Sequence, residues 1–150
     1  MLNLRLLVLA AVLLISARVS WAQDSVIGYV KTVEGDATVV VAGNVVKALP
    51  GTPVQLGDVL KTGKQGSMGV TFRDNTIMSL GPDTEMTVDE YLYSPSKGDL
   101  KLGAAMTKGS LNYVSGVIAK LKPEAVSIRT PTGIIGVRGT HFLAKVEAGE

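Results

Sequence analysis

The chain contains no cysteine, one histidine and one tryptophan, and only 5% of its 150 residues are aromatic. Without thiols there is no disulfide staple, no thiolate nucleophile and no thiolate metal site, so a hydrophobic core alone must hold the fold. A zinc centre at the lone His141 would need an unusual set of carboxylates or waters around it. No serine sits in a strand–turn–helix elbow, so nucleophile, base and orienting group cannot be assembled. The aspartates at 36, 58, 74, 83, 89 and 99 fall mostly at turns, where short carboxylates bond local backbone, and no twelve-residue calcium loop is present. Neither cofactor, metal nor catalytic residue is expected.

A long apolar run is also missing. Residues 6–17 are apolar apart from Ser16, a run that falls short of the roughly 18 residues that a membrane-spanning helix needs. Arg5 precedes this run, and Ser20-Trp21-Ala22 follows it as a small-x-small site. That order describes a helical secretory signal peptide over residues 1–22, cleaved after Ala22, with one domain over 23–150. The expected location is periplasmic or secreted, with no stable membrane span after cleavage. Charge of one sign is lacking as well. The chain has 15 basic and 13 acidic side chains, and removing 1–22 removes Arg5 and Arg18, leaving 13 against 13. A neutral domain has no cationic excess for nucleic acid.

What is present is short-strand patterning. Hydrophobic residues make up 46% of the chain, and 17 glycines punctuate it. Val26, Gly28 and Val30, then Ala37, Val39 and Val41, alternate around Glu34-Gly35-Asp36, the mark of two half-buried strands and a tight turn. Pro50 and Pro53 make residues 49–57 a loop or sheet edge. Met68, Val70 and Phe72 share one face of a hairpin that turns at residues 73–76 and returns over 77–80. Met86 and Val88 point inward after a turn at 81–83. Leu100, Leu102 and Ala104 form another strand, separated by Lys108-Gly109-Ser110 from Leu111 and Tyr113. Only residues 115–122 suit a short helical turn, ended by Pro123. The expected class is all-β, a short solenoid or roll with weak internal repetition, with a sandwich as the structural alternative.

Residues 126–146 close the chain as an alternating strand, a break at 130–133, glycines at 133, 136 and 139, and an apolar strand over 141–146. Its glycine run superficially resembles a phosphate loop, but a strand follows it where that motif requires a helix. The expectation is a structural clasp, with turns at Gly133, Gly136 and Gly139 and the last strand laid on the core. Arg138, set between glycines, is expected to clamp an internal acid such as Asp58 or Asp74. Arg138 and His141 are also the two candidate partner-binding residues.

Four stretches together resemble the FecR-type periplasmic domain. They are Gly28-Tyr29-Val30 with Glu34-Gly35; the run from Leu56 through Gly57, Asp58, Thr62 and Gly63; Gly66-Ser67 with Phe72 to Thr76, including Asp74; and Thr130-Pro131-Thr132 with Gly136, Arg138, Gly139, Thr140 and Phe142. The resemblance implies a β-rich envelope module whose best-known members sense iron uptake and regulate sigma factors. This sequence shows no counterpart of their cytoplasmic region or membrane helix, so a stand-alone domain is expected. The leading expectation is a non-enzymatic binding module for an envelope protein or glycan. A trans-acting component of iron-uptake signalling comes second, and an envelope carbohydrate hydrolase a distant third.

Overall fold

A computed structural model describes residues 26–148, so the expected signal peptide and its cleavage site lie outside the described residues. Twelve strands run in order: β1 (Val26–Glu34), β2 (Ala37–Val41), β3 (Asn44–Lys47), β4 (Pro53–Gln55), β5 (Val59–Thr62), β6 (Ser67–Phe72), β7 (Ile77–Leu80), β8 (Glu85–Ser94), β9 (Asp99–Val114), β10 (Val126–Thr130), β11 (Gly133–Gly136) and β12 (His141–Val146). One five-residue helix, α1 (Val117–Leu121), sits between β9 and β10, and Pro123 opens the 3-10 turn that follows it. The domain is all-β.

The 16-residue β9 organises the rest, because it belongs to two ladders in succession. Its first part pairs with β8 from Asp99 to Lys108, and on its other side Leu102–Ala105 pairs in parallel with β10. Its last part pairs antiparallel with β7 on one side and β12 on the other. A first sheet therefore runs β3-β2-β5-β8-β9-β10-β11 and a second runs β4-β1-β6-β7-β9-β12. Every pairing but β9–β10 is antiparallel. The result is one sheet curled into a roll around its inward side chains.

The curl has a local cause. The β8–β9 register shifts between Glu85 and Met86, and Gly109 follows with a φ of +100°. A Cβ on Gly109 would lie 2.4 Å from the Thr84 Cα, so only glycine lets the two strands approach this closely. The sequence suggested a break at residues 108–110. The structure instead carries one strand around a corner there.

Alternation builds the core as expected. Met68, Val70 and Phe72 are buried, as are Met86 and Val88 on β8 and Leu111 and Tyr113 on β9. Val39 and Leu60 of the first sheet and Val30 and Met78 of the second complete a continuous apolar centre. Burying each such side chain contributes about 1.5–3 kcal/mol.

The closing segment departs from expectation. Gly133 and Gly136 are the ends of β11, not turns, and the reversal falls at Pro131 and Thr132. Of the three glycines only Gly139 has a positive φ, at +114°. Val126, Ile128 and Val137 are buried, but Ile134 and Leu143 are 70% and 75% exposed. β11 and β12 each end a different sheet, so each has one side against a neighbour and the other against solvent. The clasp is β10 alone.

Candidate functional site

The motif residues converge on two buried polar knots. The first is Asp74, fully buried in the β6–β7 turn, where Asn75 takes the left-handed conformation that the turn needs. Its Oδ2 accepts from the Thr76 hydroxyl at 2.7 Å and the Ile118 N–H at 3.2 Å. Its Oδ1 accepts from the Tyr91 hydroxyl at 3.1 Å and the Thr76 N–H at 3.3 Å. The Asp74 N–H in turn donates to the Tyr91 oxygen, and its carbonyl accepts from the Val117 N–H at 2.7 Å. Four donors satisfy the carboxylate without any cation. Burial and the adjacent Asp74 carboxylate push the Tyr91 phenol well above the usual tyrosine range, so it stays a donor.

The second knot lies where β5, the β7–β8 turn and the corner of β9 meet. Thr62 donates to the Gly81 carbonyl at 2.7 Å and accepts from the Thr84 N–H at 2.9 Å. The Thr84 hydroxyl also reaches the Gly81 carbonyl, and accepts from the Ser110 N–H at 3.0 Å. Gly57 turns the chain with a φ of +87°, and Asp58 accepts from the Gln55 N–H at 2.8 Å. Gly63 donates to the Asp36 carbonyl. These residues are seams of the fold.

The two partner-binding candidates are separated. Arg138 is exposed in the loop after β11 and makes no ion pair among the described residues, so it is not a clamp on Asp74, whose oxygens are already occupied. It lines a cleft of about 710 Å³ with Glu124, Ser127 and Gly136. His141 begins β12 on the far side of the loop, exposed, with Nε2 against the Asn112 Oδ1. Between them Gly139 and Thr140 lend carbonyls to Ser115, through its Oγ and N–H. Phe142 stacks on Tyr113 with ring centroids 4.8 Å apart. Pro131 is exposed at the tip of the β10–β11 hairpin. No group of three or more His, Asp or Glu side chains is placed to hold a metal among the described residues.

The larger contrast lies between the two outward faces. Across the first sheet, Lys61 pairs with Glu85 at 3.3 Å, Lys101 with Glu90 at 3.0 Å and Arg129 with Asp89, while Lys108 reaches Asp83 at 2.8 Å in the turn that leads into β8. The second sheet's outward face is different. Its cross-strand rows read Tyr29–Thr71–Ile77–Val114–His141, then Thr32–Gly69–Ser79–Asn112–Leu143. Its charged groups are Lys31 and Glu34 on β1 and Lys145 on β12, and β6, β7 and the last part of β9 between them carry none. Thr32 lies over Gly69 and Ser110 over Gly81, which leaves a shallow depression of about 470 Å³ bordered by Ser79, Asn112, Leu143 and Lys145. Tyr29, Ile77 and Val114 expose 45%, 40% and 36% of their surfaces along one side of it.

The FecR protein family matches residues 58–150. The chain belongs to the FecR family. No curated protein and no solved structure matches it. The FecR match begins at Asp58 and takes in β5 to β12, with both knots and the corner of β9, while β1 and β4 complete the second sheet from outside it. FecR proteins are tied to cell-surface signalling and the regulation of iron uptake. Sequence reasoning singled out the FecR motifs but missed the outward row of Ser79, Asn112 and Leu143. Its signal was present: the outward positions of residues 67–72, 77–80 and 110–114 carry no charge, whereas residues 85–101 carry six.

Proposed function

We propose that this chain is a non-enzymatic binding module of the bacterial envelope, periplasmic or secreted, that docks a protein partner through the outward face of its second sheet. The observation that carries this reading is the absence of charge from the middle of that face, the outward positions of β6, β7 and the last part of β9. Solvated sheet faces normally carry charges, as the first sheet does, and interaction surfaces are depleted of them at their centre. Serine, threonine, glycine and asparagine keep the depression shallow, and Tyr29, Ile77 and Val114 supply apolar contact beside it. A single exposed tyrosine offers a glycan little stacking area, so a protein is favoured over a sugar.

A photo-crosslinking residue at Ser79, used in the native envelope, should capture a protein, whereas the same residue at Thr87 on the first sheet should not. Equal capture from both positions, or none from Ser79, overturns the docking face. Capture of glycan alone replaces the partner class. Membership of the FecR family supports a second, finer reading, that the partner belongs to a signalling relay and this chain acts in trans. Recovery of a receptor or a membrane-bound regulator from Ser79 would favour it.

A further inference from the structure

β12 is an open edge with a self-complementary sequence, and we infer that it pairs with β12 of a second copy of this chain, antiparallel about Ala144. The open groups follow from the register. The Gly81 N–H bonds to the Ser110 carbonyl and the Ser115 N–H to the Thr140 carbonyl, so β9 turns residues 110, 112 and 114 toward β7 and 109, 111 and 113 toward β12. On β12, Phe142, Ala144 and Val146 therefore bond β9. His141, Leu143 and Lys145 direct their N–H and C=O groups outward, a row of backbone unpaired among the described residues that fits another extended strand.

The other edges are poorer templates. β4 has three residues and begins at Pro53, β3 has four and carries Lys47 at its end, and β11 is four residues bounded by glycines. β12 has six residues in unbroken register, with neither proline nor bulge.

Side-chain chemistry selects both the occupant and the register. Pairing about Ala144 sets His141 opposite the second copy's Glu147, Leu143 opposite its Lys145, and Phe142 opposite its Val146. Opposite or neutral groups then face each other on the outer side. On the inner side Phe142, Ala144 and Val146, each half-buried in one copy, join their symmetry mates and continue the apolar layer across the axis. Pairing about Lys145 would oppose two ammonium groups, and pairing about Leu143 would put His141 against Lys145. Of these three axes, only that about Ala144 keeps Lys145 away from a second basic side chain. A ribbon of seven residues is a small interface, so the dimer should form with a dissociation constant on the order of 10 µM.

The absence of cysteine makes the test clean. At a non-hydrogen-bonded antiparallel pair the Cα atoms lie about 4.5 Å apart, within the range that a disulfide bridges. Mild oxidation of Ala144→Cys should give a covalent dimer in high yield, whereas Leu143→Cys, which does not face its own symmetry mate, should give little. Independently, sedimentation of the unmodified chain should show a monomer–dimer equilibrium, which Leu143→Lys shifts toward monomer about tenfold by opposing Lys145. Leu143 is exposed, so that variant keeps the test open if Ala144→Cys fails to fold. Sedimentation as a monomer up to about 200 µM, some twenty times the expected constant, would overturn the inference. So would equal crosslinking from residue 143, or crosslinks from residue 144 to a foreign chain alone. Leu143 and Lys145 also border the depression beside Ser79, so Leu143→Lys bears on both readings, whereas disulfide formation at residue 144 reads the edge and photo-capture at Ser79 reads the face, and either can fail without the other.

Discussion

Asp74→Ala should be among the most destabilising single substitutions that leave every apolar core residue in place. The carboxylate is fully buried and receives the Thr76 hydroxyl, the Thr76 and Ile118 N–H groups and the Tyr91 hydroxyl. Removing it leaves these donors without an acceptor, at about 1–3 kcal/mol for each that stays buried and unpaired. Hydroxyls can rotate toward new acceptors, but the two N–H groups are held by the turn and by α1. The expected loss is therefore about 3–5 kcal/mol, a large part of the 5–15 kcal/mol typical of a whole domain. Asp74→Asn keeps one acceptor and turns an amide donor toward the Ile118 N–H or the Tyr91 hydroxyl, for a loss of about 2 kcal/mol. Urea unfolding monitored by circular dichroism reads both, with the shift in midpoint as the measure and an unchanged slope as the check on two-state behaviour. Tyr91→Phe alone should cost about 1–2 kcal/mol, and the double variant Asp74→Ala/Tyr91→Phe less than the sum, because the two side chains share one hydrogen bond. An Asp74→Ala loss under about 1 kcal/mol, or strict additivity with Tyr91→Phe, would refute the view that this knot joins the β6–β7 turn to β8 and α1.

Three further outcomes follow from the same geometry. Tyr113→Phe should leave the unfolding midpoint unchanged or raise it, because the Tyr113 hydroxyl is buried without a hydrogen-bond partner among the described residues while the Thr76 and Ser115 hydroxyls beside it donate to Asp74 and Gly139; a loss above about 1 kcal/mol would show a bond in solution. Gly109→Ala should cost about 3 kcal/mol or more, since strain at a positive φ adds to the clash with the Thr84 backbone, and a fall below about 1 kcal/mol in urea would mean that the corner can relax. The Lys108 ammonium holds the Asp83 carboxyl below the usual carboxylate range. A carboxyl depressed on folding adds stability above its unfolded value of 3.8 and loses it as pH falls through the lower folded value, so Lys108→Met should return the Asp83 titration in NMR to the ordinary range and change stability mainly above that range.

Local chemistry made much of the fold legible. Alternation placed β1, β2 and β6 to β8 and their inward residues, and Gly35, Asn75 and Asp83 take the positive φ that their turns require. What escaped is what only long-range pairing decides. Lys108-Gly109-Ser110 has the composition of a hairpin turn, but Thr84 and the β8 register make it a corner within one strand. Apolar content suggested that residues 141–146 were buried, yet burial depends on having sheet on both sides, and β12 has β9 on one side only. Arg138 seemed bound to pair because a charge near a buried strand usually does. That expectation failed because the loop after β11 turns it to solvent.

The same contrast says where function can reside in this family. The residues that make FecR motifs recognisable, such as Asp58, Thr62, Asp74 and Phe142, are occupied with the fold itself: they close turns, join sheets and stack rings. A side chain committed to four internal hydrogen bonds has no capacity left for a partner. The binding proposed above would then draw on positions that the fold leaves free, the outward rows of the sheets, the open edge of β12 and exposed loop residues such as Arg138. Strand pairing fixes where those rows lie, while the identity of each outward residue is constrained only by solubility and by whatever the face meets. Charge was kept across the first sheet and left out of the middle strands of the second, although solubility alone would favour it on both. That asymmetry is the feature of this chain that folding does not require.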